Sequence, residues 1–295
     1  MEERIHKPVL LKEVIELLNV QKNKNYIDCT VGEGGHTIEI LKKNAPRGRV
    51  LGFEIDRDLY EKMRLRGLKR LILVNDSYSN LKKIVEREKF PRVCGILADL
   101  GISSWHLEKS GRGFTFRKDE PLIMKYNFSV EISAMDVVNE FSQDELERIF
   151  KEYGNERFAK KIASEIVKER KKRKIERTLQ LVEIIKRAVP RWYLRRKIHF
   201  ATKTFLALRI VVNRELENVR AFLPQATDIL EKKGRLAVIS FHSLEDKIVK
   251  NFLREKEREG ILRILTKKPI VPSKEEIIQN PRSRSAKLRV ALKIK

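Results

Sequence analysis

Cysteine is almost absent from the 295-residue chain. Cys29 and Cys94 are the only two, and they do not form a Cys-x-x-Cys pair. That excludes a disulfide framework and a cysteine-based zinc site, and no metal is expected. Each cysteine falls in an apolar, strand-like run, where a buried thiol is expected. No apolar run is long enough to cross a bilayer, and the start of the chain, through Pro8, has no apolar signal segment. No membrane partner is expected, and the chain reads as cytoplasmic. Acidic residues are outnumbered: 41 Asp and Glu stand against 65 Lys and Arg, a net charge of +24. An excess of this size predicts a polyanionic partner, nucleic acid before any other.

Glycine is also scarce, with 13 residues, yet three of them lie in the four-residue stretch Gly32-Glu33-Gly34-Gly35. The apolar run Tyr26-Ile27-Asp28-Cys29 precedes them, and Thr37 to Leu41, with helical spacing, follows. Strand, glycine turn and helix in that order let backbone amides approach a nucleotide-like ligand. The spacing Gly-x-Gly-Gly departs from that of dinucleotide enzymes and points to one adenosine-bearing cofactor, S-adenosylmethionine being the commonest.

Further strands are predicted at Arg49–Glu54, Leu71–Val74, Val93–Asp99, Gly234–Ser240 and Leu288–Ile294. Helices are predicted at Val9–Leu18, from Gln143, at Phe158–Val167 and at Leu179–Val189. Short apolar strands alternating with helices argue for a doubly wound parallel sheet. The alternation breaks between Trp105 and Phe128 and resumes only at Gly234. The expected architecture is α/β: a Rossmann-like sheet of residues 1–106 and 203–295, interrupted by a small helical domain, 107–202, for substrate recognition.

Chemistry collects at the predicted strand ends. Glu54 lies 22 residues beyond Gly32, where an acid accepts hydrogen bonds from ribose hydroxyls. Asp56 is the alternative, and Glu54 is preferred. Asp76-Ser77-Tyr78 follows the third strand, beside an expected adenine. Asp99-Leu100-Gly101-Ile102-Ser103-Ser104 ends the fourth, where substrate meets cofactor. Methylation of a ring-conjugated amine needs an acceptor for its N–H, and Asp99 is the best-placed carboxylate. Ser240-Phe241-His242-Ser243-Leu244-Glu245-Asp246 reads either as a site or as a helix cap by Ser243 with Asp246. Lys168 to Lys174, the aromatic-bearing Arg191-Trp192-Tyr193-Leu194-Arg195-Arg196-Lys197 and Asn280 to Lys287 suit phosphates and stacked bases.

Several strings carry a resemblance: His6 to Val14, Asp28 to His36, Asp99 to Ser104, Arg112 to Phe116, Tyr153 to Glu156, His199 to Phe205, Val238 to Asp246 and Asn280 to Ser285. The chain is similar, almost end to end, to the ribosomal RNA small subunit methyltransferase H family (RsmH, formerly MraW). The resemblance implies a class I S-adenosylmethionine-dependent fold. It also implies methylation of N4 of one cytidine in 16S rRNA at the decoding centre, with 16S rRNA or the small subunit as partner. By matched position it implies a cofactor set of Gly34, Gly35, His36, Glu54, Tyr78, Asp99 and His106. Asp99 is also the candidate catalytic residue, and Arg112, Lys203, Arg209, His242, Arg282 and Arg284 are candidate RNA contacts. A homodimer is left open.

The chain departs from the family at Glu54 (usually Asp), at His106 (usually Gln), and at Ile123, Lys125 and Tyr126 (usually Asp, Arg and Met). An acid–guanidinium pair is therefore expected to be missing at 123 and 125. The competing functions are a DNA amine methylase, which the absent acid-Pro-Pro-aromatic motif disfavours, and a non-catalytic RNA-binding assembly factor.

Overall fold

The computed structural model describes residues 8–295. The chain forms two compact units. One comprises the described residues up to Gly101 together with Leu216–Lys295; the other is Ile102–Glu215.

The first unit is built on seven strands: β1 (Tyr26–Asp28), β2 (Val50–Phe53), β3 (Leu71–Val74), β4 (Val93–Asp99), β5 (Leu230–Ser240), β6 (Leu262–Ile264) and β7 (Lys287–Lys293). Their order in the sheet is β3-β2-β1-β4-β5-β7-β6. Neighbours from β3 to β5 run parallel, while β7 is antiparallel to both β5 and β6. This is the Rossmann-like α/β arrangement expected. β6 escapes sequence reading because three residues carry too little alternation to register.

Both faces of the sheet are buried, and the period of two sorts the side chains between them. Ile27, Ile96, Ala98, Leu236 and Val238 join one core with Leu81, Phe222 and Leu253. Tyr26, Leu97, Ala237 and Ile239 join the other with Val14, Ile40 and Leu288. Strands apolar on both faces read as continuous runs, and that is why β1, β3 and β4 are visible in the sequence.

The second unit is helical. It contains Ala134–Glu140, Gln143–Glu152, Ala159–Arg170, Thr178–Ala188 and Thr202–Asn213, packed around Phe150, Ile162, Leu181, Leu208 and Val212. The insertion is therefore wider than 107–202. The helix Thr202–Asn213 contributes Phe205, Leu208 and Val212 to this core, so it belongs with the helices before it rather than with the sheet. Capping boxes start two of the helices, at Ser133 with Asp136 and at Ser142 with Glu145. Each satisfies backbone donors that the first turn would otherwise leave unpaired.

Phe150 is fully enclosed in the helical core. Phe150→Ala removes an aromatic ring from a packed site and is expected to destabilise this unit by about 3–5 kcal/mol. Hydrogen exchange should show the lost protection in Ile102–Glu215. A loss spread equally over the sheet would contradict the two-unit division.

Candidate active site

The strand order reverses between β1 and β4. In sheets of this kind the ligand crevice opens beyond the C-terminal ends of the strands at that point. Three acids stand there: Asp28 ending β1, Glu54 just past β2 and Asp99 ending β4.

Asp28 is buried and braces the turn that follows it. One carboxylate oxygen accepts from the Thr30 amide at 3.1 Å and the other from the Thr37 hydroxyl at 2.6 Å. Thr30 in turn accepts at its hydroxyl from the Asp99 amide at 2.7 Å, tying the ends of β1 and β4 together. The sequence reading did not single out Asp28, Thr30 or Thr37. An Asp two residues before a Thr in a turn is the one local signal for this bracing.

Within the turn, Gly32 and Gly34 take φ of +53° and +84°, which glycine adopts without a Cβ penalty. A Cβ on Gly34 would lie 2.6 Å from Met63 Cε, and one on Gly35 would lie 2.9 Å from Pro8. Gly34 is thus required by its positive φ, and Gly35 by the Pro8 ring packed on the turn. The helix Gly35–Lys43 starts here with no side-chain cap, and the positive end of its dipole suits a carboxylate.

Glu54 is buried, and its carboxylate accepts from the amides of Gly32 and Asp56, each at 2.8 Å. Burial pushes its pKa up to about 7, with Asp56 and Asp28 adding to the rise and the two amide bonds opposing it. The alternative acid, Asp56, is the N-cap of the helix Arg57–Arg64 and accepts from the amides of Asp58 and Leu59. The cap commits Asp56 and leaves Glu54 at the crevice.

Asp99 is the most perturbed of the three. Its pKa is held well above the usual carboxylate range by burial, then by Asp28 and by Glu245. Its Oδ1 is buried and has no hydrogen-bond partner among the described residues. Its Oδ2 lies 3.7 Å from His36 Nδ1. The other nitrogen of His36, Nε2, lies 3.0 Å from the Val9 carbonyl, which only accepts, so Nε2 carries the hydrogen. His36 is therefore fixed between the chain start and Asp99. Tyr78, in the turn after β3, sets its ring edge-on to Phe222 at 5.4 Å.

His106 lies in the helical unit, inside an aromatic nest. Its ring centroid is 5.3 Å from Trp105, 5.2 Å from Phe114 and 4.9 Å from Tyr126, and its Nδ1 is 2.8 Å from the Ser103 hydroxyl. Arg112 is buried in the same unit, its guanidinium over the rings of Trp105 and Phe128. Arg209 grips Glu215 with two nitrogens, at 2.8 and 2.9 Å. Arg112 and Arg209 are thus internal side chains rather than the exposed cations that phosphate contact calls for. Lys203 is partly buried, and its ammonium donates to the Asn155 carbonyl. Arg282 and Arg284 are exposed.

His242, not Ser243, caps the helix Ser243–Arg258, with Glu245 rather than Asp246 closing the box. Asp246 instead holds Arg289 at 2.6 Å and Lys287 at 3.1 Å. At the departures from the family, Lys125 donates to the carbonyls of Val130 and Glu131. The Tyr126 hydroxyl lies 3.2 Å from Glu215, so the tyrosine joins the Arg209 pair.

The raised pKa of Glu54 fixes a pH dependence. Between pH 4.5 and 7 the folded chain holds a proton on Glu54 that the unfolded chain has released. Stability therefore falls as pH rises through that window, by about 3 kcal/mol from this group. Urea unfolding across the window should show the decline, and Glu54→Gln should flatten it. A rise in stability over the same interval would contradict the burial assigned to Glu54.

The whole chain matches known proteins. The MraW methylase family model covers residues 3–294. "Ribosomal RNA small subunit methyltransferase H" of Thermosipho melanesiensis is 48% identical over 292 residues, covering 98% of each chain. The protein of that name from Persephonella marina is 47% identical over 292 residues, covering 98% of this chain and 99% of its own. That from Clostridium botulinum is 44% identical over 306 residues, with the same coverage. Matched from near its start to near its end by the family model and by these relatives, the chain belongs to the MraW methylase family.

Proposed function

We propose that this protein transfers the methyl group of S-adenosylmethionine to RNA of the small ribosomal subunit, at N4 of one cytidine in the 16S decoding centre. Asp99 carries the reading: a buried acceptor oxygen without a partner, at the switch point of the sheet, with Asp28 and Glu245 acting on it in the same sense. Carboxylates concentrated in this way call for a cationic ligand.

The residues present fit such a cofactor. The uncapped start of the helix Gly35–Lys43 would hold its carboxylate. Asp99 would face its ammonium and sulfonium charge, Glu54 would accept from its ribose hydroxyls, and Tyr78 would flank the adenine. When bound, the cofactor supplies a methyl group activated by the sulfonium. Much of the remaining catalysis is positioning. Beside the positive charge of a bound cofactor Asp99 would be ionised, and its Oδ1 would then accept the N–H of the target amine, drawing the nitrogen lone pair out of conjugation and giving the departing proton a place to go. His36, held by the Val9 carbonyl, keeps Asp99 oriented.

RNA as substrate is supported by the net charge of +24 and by the name shared by the relatives. The cytidine is supported by the family strings. A target amine reaches such a crevice only when its base is out of the stack, which is least unfavourable in single-stranded RNA. An enzyme of this kind works where ribosomal subunits are, in the cytoplasm.

Incubation with labelled S-adenosylmethionine and small subunits should place one methyl group on a cytidine, read by nucleoside mass spectrometry. Absence of incorporation into both rRNA and assembled subunits would refute the proposal. Asp99→Ala should lower turnover by about 10²–10⁴-fold while the protein stays folded. Near-normal turnover would remove Asp99 from the reaction.

A further inference from the structure

Tryptophan is rare in this chain, and its two copies have opposite surroundings. Trp105 is 7% exposed, whereas Trp192 is 52% exposed. Trp192 lies in the short helix Arg191–Leu194 of the helical unit. Its neighbour Tyr193 points inward, and its hydroxyl donates to the Glu156 carboxylate, with the two oxygens at 2.8 and 2.9 Å. That bond anchors the segment and leaves Trp192 on the outside.

The indole is braced rather than loose. The Arg157 guanidinium sits 5.6 Å over its ring, and Phe158 meets it edge-on at 5.9 Å. Beside it in the chain are Arg191, Arg195, Arg196 and Lys197, all exposed. Among the described residues no carboxylate pairs with Arg157, Arg191, Arg195 or Lys197. The adjacent acid, Glu156, is buried and engaged by Tyr193 and by the Phe158 amide. A half-exposed indole, stiffened by a guanidinium and flanked in the chain by exposed cations, has the chemistry of a base-stacking platform with phosphate contacts beside it.

We propose that Trp192 stacks an unpaired base of single-stranded RNA while Arg191, Arg195 and Lys197 contact its phosphates. Paired bases offer no free face to an indole, so a single strand is the form that fits. The inference rests on the RNA substrate proposed above and extends it to a second contact, outside the residues assigned to methyl transfer.

The test uses the full chain and a single-stranded oligoribonucleotide of about twelve nucleotides. Binding should quench tryptophan emission, and the quench should vanish in Trp192→Phe, where Trp105 alone emits. Trp192→Ala should weaken binding about tenfold or more, with Trp192→Phe recovering most of it because a phenyl ring still stacks. Arg195→Ala should lower the slope of log affinity against log salt by about 0.7, one phosphate contact. In methyl transfer to small subunits, Trp192→Ala should raise KM.

Equal affinity of Trp192→Ala and the parent chain, or an equal quench with the same sequence as a duplex, would overturn the platform. Trp192-dependent binding without methyl transfer would leave the platform standing and remove the proposed activity. Methyl transfer indifferent to Trp192 would do the reverse. Circular dichroism of each variant separates lost contact from lost fold.

Discussion

Three carboxyl groups kept out of water at neighbouring strand ends are the constraint around which the rest of the sheet unit is arranged. Asp28 is satisfied internally by the turn it braces, and Glu54 by two amides. Asp99 is left with an acceptor that nothing in its own unit fills. Such an arrangement opposes folding, because burial holds each carboxyl at a raised pKa, with acidic neighbours adding to the rise at Glu54 and Asp99 and the Thr37 and Thr30 hydrogen bonds opposing it at Asp28. Strained electrostatics of this kind concentrate at functional sites. The tight glycine turn, the His36 contact with the chain start and the Thr30 link between β1 and β4 all hold these acids in place.

The sheet was legible because its strands are apolar on both faces and its turns are marked by glycine and acid. Glu54, 22 residues beyond Gly32, does stand just past β2. What spacing does not reveal is which of two nearby acids caps the next helix, and that choice separates Glu54 from Asp56. Arg209 illustrates a deeper limit. Glu215 is six residues on, a separation that puts two side chains on different sides of an unbroken helix. They meet because Arg214 adopts a left-handed conformation, φ 50°, and breaks the helix between them. Similarly, Leu10 is held by Glu276, 266 residues away, and no local pattern announces it.

The departures from the family acquire a physical account within the helical unit. Lys125 carries no acidic partner at 123, and it instead closes the loop around the carbonyls of Val130 and Glu131. Tyr126 stacks on Phe114 at 5.2 Å and extends to Glu215. Arg209 with Glu215 is a largely buried acid–guanidinium pair of this unit, with Tyr126 as a third member. The same aromatic nest encloses His106, so substitutions around it bear on packing as well as on any ligand.

The antiparallel strand β7 sits between β5 and β6 although it follows both in the chain. During synthesis, β5 therefore emerges with one side unpaired, and β6 has no strand to join until β7 leaves the ribosome. The helical unit, complete by Glu215, is free to fold well before that moment. An exposed sheet edge is an invitation to pair with other chains. The sheet thus passes through a vulnerable interval on every round of translation, closed only by the arrival of its last strand.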